Sequence, residues 1–153
     1  MNLHEYQSKE ILKYFGIKVP RYVIVNNIEN SIELSKTLQK ETGTKYFIIK
    51  AQIHAGGRGI SGGIKIAKSL KEVKEKVSKI LGKYLITPQT SKEGKLVNKV
   101  MIAEDIYYEG KYKIKEYYIS LLFDRIKNKN IIIYSNEGGI DIESTAIKNI
   151  KNQ

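Results

Sequence analysis

Tyr46-Phe47-Ile48-Ile49-Lys50-Ala51-Gln52-Ile53 runs without a break into His54-Ala55-Gly56-Gly57-Arg58-Gly59-Ile60-Ser61-Gly62-Gly63, and Ile64-Lys65-Ile66-Ala67 follows at once. The first stretch is apolar on both parities until Lys50, the pattern of a strand buried on both faces. The second holds five of the chain's 12 glycines. The third is again a strand, so the unit reads strand, glycine loop, strand. Glycines let a backbone approach a ligand closely and turn its N–H groups inward, as sites for di- and triphosphates require. The loop is not a P-loop, because G-x-x-x-x-G-K-[ST] is absent. Nor is it a dinucleotide fingerprint, since no helix follows and the G-x-G-x-x-G register is not met. What remains is a glycine-rich β-hairpin lying over phosphates, with Lys50 on the preceding strand. An unpaired ammonium on a buried strand is costly, and an anionic ligand would satisfy it. The plainer alternative is an ordinary hairpin with a snorkelling strand-end lysine.

Upstream of this unit, Asn2 and Glu5 have the spacing of a capping box. Leu3, Tyr6, Ile11, Leu12 and Phe15 supply an apolar face, and Gly16 suits the residue after a helix end. Tyr22-Val23-Ile24-Val25 reads as a strand, and residues 29–41 as a second helix carrying Ile32, Leu34 and Leu38 and stopping at Gly43. Downstream, Leu70, Val73, Val77, Ile80 and Leu81 mark a third helix ended by Gly82. Val97–Ile106 is a strand, and Tyr112–Phe123 with Asn130–Tyr134 form a hairpin turned at Lys127-Asn128-Lys129. After the Ser135–Gly139 turn a helix is expected near Ile142. Helices beside antiparallel-leaning strands predict an α/β (α+β) architecture in two lobes, with a break near residue 110.

Composition bounds the chemistry. The 153 residues, 41% hydrophobic and 28% charged, suffice for one domain or two small lobes with a real core. With no cysteine, a disulfide scaffold, a thiolate zinc site and a cysteine nucleophile are excluded. Only His4 and His54 are available as imidazole ligands, which argues against a protein-only transition-metal site. The net charge of +11 sets 24 Lys and 3 Arg against 16 acidic residues, in a chain also carrying 25 Ile, 10 Asn and 11 Tyr. All four abundant types have A/T-rich codons, so the basic surface reads as codon drift. The scarcity of Arg, the better fork for phosphate and base edges, speaks against a dedicated nucleic-acid surface. No apolar run approaches the ~20 residues of a membrane helix, and the N-terminus lacks a leader pattern. The expected location is cytoplasmic, or the organellar matrix as a mature form.

Three blocks together resemble one family. Met1–Gln7 (Met-Asn-Leu-His-Glu-Tyr-Gln), Lys50–Gly59 and Ser135-Asn136-Glu137-Gly138-Gly139-Ile140-Asp141-Ile142-Glu143 are similar, in order and over the whole chain, to succinyl-CoA synthetase β subunits. The resemblance implies the front part of an ATP-grasp fold, whose two lobes clamp Mg-ATP. Residues 1–20 would be the N-terminal helix and lead-in, 21–110 the first lobe, and 111–153 the incomplete start of the second. It further implies that Lys50 contacts the nucleotide phosphates and that Gly57, Arg58 and Gly59 form the tip of the loop closing over them. Glu104 would lie at the adenine edge, Tyr107 three residues on, and Glu116 on the ribose hydroxyls. Because Tyr108–Tyr112 resembles a short insertion, Asp105 or Glu109 could take either carboxylate role. His54 is expected to be structural, since the family's phosphohistidine belongs to the α subunit, and His4 to be a surface or interface residue.

The same resemblance implies ATP or GTP as nucleotide, Mg²⁺ held by an Asn and an Asp beyond Gln153, and an α subunit carrying the phosphohistidine and the CoA site. Succinate and CoA would be substrates of that complex. A chain with the lysine and the glycine loop but no metal ligands is expected to be a truncated or partial chain that catalyses nothing alone, because phosphoryl transfer rests on positioning and on the metal's charge. A related acyl-CoA ligase, such as a malate–CoA ligase β subunit, would share every motif. A basic nucleic-acid-binding module is the alternative from a different class.

Overall fold

The computed structural model describes residues 2–107, 111 and 113–138. Its described elements are α1 (Glu5–Tyr14), β1 (Tyr22–Val25), α2 (Ser31–Thr42), β2 (Phe47–Ala51), β3 (Ile64–Ala67), α3 (Leu70–Ser78), β4 (Tyr84–Leu85), β5 (Lys95–Leu96), β6 (Val100–Glu104), β7 (Tyr118–Asp124) and β8 (Lys129–Ser135). The chain divides into two compact units, Met1–Tyr108 and Glu109–Gln153. Helix α1, set apart as a lead-in by the sequence reading, belongs to the first unit. The helix expected near Ile142 and the possible contact Glu109 lie outside the described residues.

The first unit is built on a four-stranded sheet of order β1-β6-β2-β3, every neighbouring pair antiparallel. Strand β6 therefore lies between β1 and β2, which run parallel to each other with α2 as their connection. Pairing register sorts the side chains onto two faces. Val23, Val25, Phe47, Ile49, Ala51, Ala67, Val100 and Ile102 share one face and make the core with Leu38 of α2 and Val73 and Val77 of α3. Phe47 and Ile49 are wholly inaccessible. At about 25 cal/mol per Å² of apolar surface, each such side chain contributes roughly 1.5–3 kcal/mol. Both helices end or begin where the sequence marks them. Gly43 caps α2 in the left-handed region at φ 70°, and the Ser69 hydroxyl accepts the Glu72 N–H at the start of α3.

On the opposite face, Tyr22, Ile48, Lys50, Met101 and Ala103 project by register, and α1 docks there through polar groups. The Tyr22 hydroxyl donates to the Tyr6 carbonyl at 2.9 Å, and the Tyr6 N–H donates to Gln52 Oε1 at 3.3 Å. Two expectations about α1 are corrected. Its N-cap is His4, in extended backbone, with the His4 N–H donating to Gln7 Oε1 at 2.9 Å, so Asn2 and Glu5 do not form the capping box. Its apolar residues are not buried either: Ile11, Leu12 and Phe15 are exposed in the described structure, because the face turned to the sheet is the one bearing Glu5, Tyr6 and Lys9. The helix end is as expected, with Gly16 at φ 76° donating to Lys13 O and Ile17 donating to Leu12 O, a Schellman closure.

A small ribbon, β4 with β5, was not legible in the sequence; Gly82 donates to Val97 O and Val97 to Lys83 O beside it. The second unit contains the β7–β8 hairpin, paired from Tyr118↔Ser135 to Asp124↔Lys129. Its turn carries Asn128 at φ 50°, a conformation that asparagine tolerates. Among the described residues no helix is long and apolar enough to cross a membrane.

Candidate functional site

The end of β2 and the glycine loop bring Lys50 and Arg58 to one place, and a carboxylate joins them. Glu5 Oε1 lies 3.1 Å from Lys50 Nζ, and Glu5 Oε2 accepts from Arg58 Nη2 at 2.7 Å. Lys9 Nζ stands 3.7 Å from Glu5, one helical turn on. Arg58 is held a second time, its Nη1 donating to the Ala51 carbonyl at 2.6 Å. Burial raises the Glu5 carboxyl, but the charges of Lys50 and Arg58, and their hydrogen bonds, pull it below the usual carboxylate range. Burial likewise lowers Lys9, against the opposing charge of Glu5. The anion beside Lys50 is thus a residue of the chain, 45 positions away, which the sequence reading assigned to a helix cap.

The loop itself is a closed turn. Gly57 adopts φ 70° and Gly62 φ 75°, where a side chain is disfavoured. Ser61 donates to Gly57 O, Gly62 to Gly59 O and Gly63 to Arg58 O, while Gly63 O accepts from Ala51, tying the turn to the end of β2. A Cβ on Gly57 would meet Pro88 Cδ at 2.9 Å. Gly56 donates to Gln89 Oε1 at 2.7 Å. A polar cavity of about 470 Å³ opens beside the turn, lined by Glu5, Ser8, His54, Gly56, Arg58 and Gln89 among others.

His54 stacks on His4, ring centroids 3.9 Å apart and 15° from parallel, and its carbonyl accepts from Lys95 Nζ at 2.6 Å. The pair therefore ties the helix start to the loop start. Burial, then the charges of His54, Lys99 and Arg58, lower His4 below its ordinary value.

Glu104 and Tyr107, expected at the base, have partners of their own within the first unit. Glu104 ends β6, and its Oε1 accepts the Arg21 N–H at 2.6 Å. Tyr107 donates its N–H to Asp105 Oδ1 at 3.0 Å, and Asp105 donates its own to Thr44 Oγ1 at 3.1 Å. Glu116 belongs to the second unit, two residues before β7, where its carbonyl accepts the Gly138 N–H at 2.9 Å. The donors that converge, an ammonium and a guanidinium, suit a multiply charged anion such as a polyphosphate. Among the described residues no group of three or more His, Asp or Glu side chains converges as a metal site would require.

An ATP-grasp domain model matches residues 2–152 of this chain. The chain is 52% identical to the β subunit of ADP-forming succinate–CoA ligase from Flavobacterium psychrophilum and 53% identical to that from Flavobacterium johnsoniae. Each match covers 95% of this chain and 37% of the relative. The corresponding subunit of Brevibacillus brevis is 46% identical over 97% of this chain and 36% of the relative. The chain thus spans little more than a third of the length of these curated relatives. Among solved structures it is similar to the dinucleotide-forming acetyl-coenzyme A synthetase 1 of Ca. Korarchaeum cryptofilum, solved with coenzyme A, acetyl-coenzyme A and a phosphohistidine segment. That likeness has a TM-score of 0.52 at 17% identity, over 92% of this chain and 55% of the other, and bears on fold alone.

Proposed function

Because the chain belongs to the ATP-grasp family, we propose that it is the nucleotide-binding front of a succinate–CoA ligase β subunit. The complex would convert ATP, succinate and CoA to ADP, phosphate and succinyl-CoA, a citric acid cycle step, in the cytoplasm. An α subunit would supply the phosphorylated histidine and the CoA site.

The observation that carries this reading is the convergence of Lys50 and Arg58 beside the Gly57–Gly59 turn. Two cations, Lys50 near the end of β2 and Arg58 on the turn tied to it, supply charge-assisted hydrogen bonds to terminal phosphates, and the turn limits access of water to them. In this role Lys50 and Arg58 bind and orient the phosphates of ATP or GTP. Glu104 or Asp105, with Tyr107, would face the base, and Glu116 the ribose. Mg²⁺, which neutralises phosphate charge when bound, would take its ligands from an Asn and an Asp of the longer subunit.

The test is transfer of labelled γ-phosphate from ATP to the α-subunit histidine by the complex of α with full-length β. Lys50→Met should lower the transfer rate by at least about a hundredfold, the scale of losing a positioned charge at transferring phosphate. Unchanged transfer would overturn the assignment of Lys50. Failure of the wild-type complex to turn over succinate, with turnover of another acid such as malate, would move the assignment to a related ligase.

A further inference from the structure

We infer that Glu5 is an internal occupant of the phosphate subsite, and that a bound polyphosphate takes Lys50 and Arg58 from it. The inference rests on the reading of those two residues as phosphate ligands. A carboxylate and a phosphoryl group offer the same thing to a pair of cations: two oxygens close together, carrying negative charge. Glu5 uses both of its oxygens in this way, one on Lys50 at 3.1 Å and one on Arg58 at 2.7 Å. The three side chains are largely withdrawn from water, at 21% exposure for Glu5, 26% for Lys50 and 18% for Arg58. Bulk salt screens such a cluster weakly, so the contact is a real competitor for an incoming anion.

Charge counting favours exchange. Lys50, Arg58 and Lys9 bring three positive charges to one carboxylate. The cluster keeps a surplus of two, which draws a second anion toward it. A polyphosphate that reaches both cations then meets the fixed carboxylate at the shortest approach. Like charges at that separation repel strongly in a partly dry site, and Glu5, on the first turn of a helix docked by a few polar contacts, is the partner that can move.

Exchange therefore releases the start of α1. The Tyr6 N–H bond to Gln52 Oε1 and the His4–His54 stack flank Glu5 on both sides and would loosen with it. Phosphate binding and docking of the first helical turn become alternatives, coupled through one side chain.

The experiment is calorimetric titration of the chain with inorganic pyrophosphate, for the wild type, Glu5→Gln and Lys50→Met. Glu5→Gln keeps volume and an acceptor while removing the charge, so the expected result is binding at least about tenfold tighter than wild type. Lys50→Met should bind at least about tenfold more weakly. Equal or weaker binding by Glu5→Gln, with weak binding by Lys50→Met, overturns the exchange and leaves the phosphate reading standing. Wild-type affinity in Lys50→Met, or no binding by any of the three, overturns both. A second measurement needs no variant: saturating pyrophosphate should speed hydrogen exchange at the Tyr6 amide of the wild type. Unchanged or slowed exchange there would mean that Glu5 stays in place, and would refute the exchange.

Discussion

Lys50 and Glu104 stand three register positions apart along the β2–β6 pair and project from opposite faces of the sheet, Lys50 opposite Met101 and Glu104 opposite Phe47. At about 3.3 Å per residue that is roughly 10 Å along the strand. The Glu104 carboxylate closes a bond to the Arg21 N–H, whereas Lys50 meets Glu5. The two residues are therefore energetically independent in the absence of ligand. In a double-mutant cycle read by urea unfolding, Lys50→Met and Glu104→Ala should add to within about 0.5 kcal/mol. The cycle for Glu5→Gln with Arg58→Ala should instead show coupling of about 0.5–3 kcal/mol, as contacting pairs do. Coupling between Lys50 and Glu104 would mean that the sheet transmits strain between its ends.

Two residues at the start of α1 give the fold a stepped dependence on acid. The folded state lowers His4 from its ordinary 6.5, first through burial and then through His54, Lys99 and Arg58. The unfolded chain thus binds that proton more readily, so His4 contributes stability above pH 6.5 that is lost as pH falls through the lower folded value. Glu5 has the same sign at lower pH. Its folded value lies below the ordinary 4.5, so the stability of its ion pairs is complete above pH 4.5 and lost as pH falls through the folded value. Thermal melts from pH 8 to pH 3 should show two declines (on the order of the two ordinary values). His4→Gln should remove the first and Glu5→Gln the second. A decline between pH 7 and pH 5 that survives His4→Gln would assign it to another group.

The sheet and its loop were legible because their signals are local. A run of apolar residues interrupted at Lys50, five glycines and a second β-branched run specify strand, turn and strand without reference to distant residues. Gly16 and Gly43, both in the left-handed region, announced helix ends for the same reason, whereas α3 ends at Ser78, short of the expected stop at Gly82. The errors concern pairings that no window contains. Glu5 reaches partners 45 and 53 positions away, and within its own helix it looks like an ordinary first-turn acid. Its docking turns the polar side of α1 inward, so apolar periodicity gave the wrong buried face. The β4–β5 ribbon has two residues per strand, too few for alternation to register. The bond of Glu104 to Arg21, 83 positions away, likewise has no sequence signature and leaves the expected role of Glu104 untouched.

The first unit should fold without the second. Among the described residues every member of the core cluster, from Val25 to Ile102, lies before Tyr108, and the sheet closes with β6. The second unit, as far as it is described, is a two-stranded hairpin whose Ile119, Leu121, Phe123, Ile132 and Tyr134 are exposed. An isolated hairpin is marginal in water at best. A polypeptide of residues 1–107 should therefore melt cooperatively, and one of residues 109–138 should show no cooperative transition, both followed by circular dichroism. Phe47→Ala gives the calibration. Removing a wholly buried phenyl ring from the start of β2 should cost about 3–5 kcal/mol, a large part of the roughly 5–15 kcal/mol available to a domain. The loss should be the same in residues 1–107 as in the whole chain, because among the described residues the core cluster that holds Phe47 ends at Ile102. A non-cooperative melt of residues 1–107, or a Phe47→Ala effect confined to the whole chain, would show that the first unit depends on the second for its core.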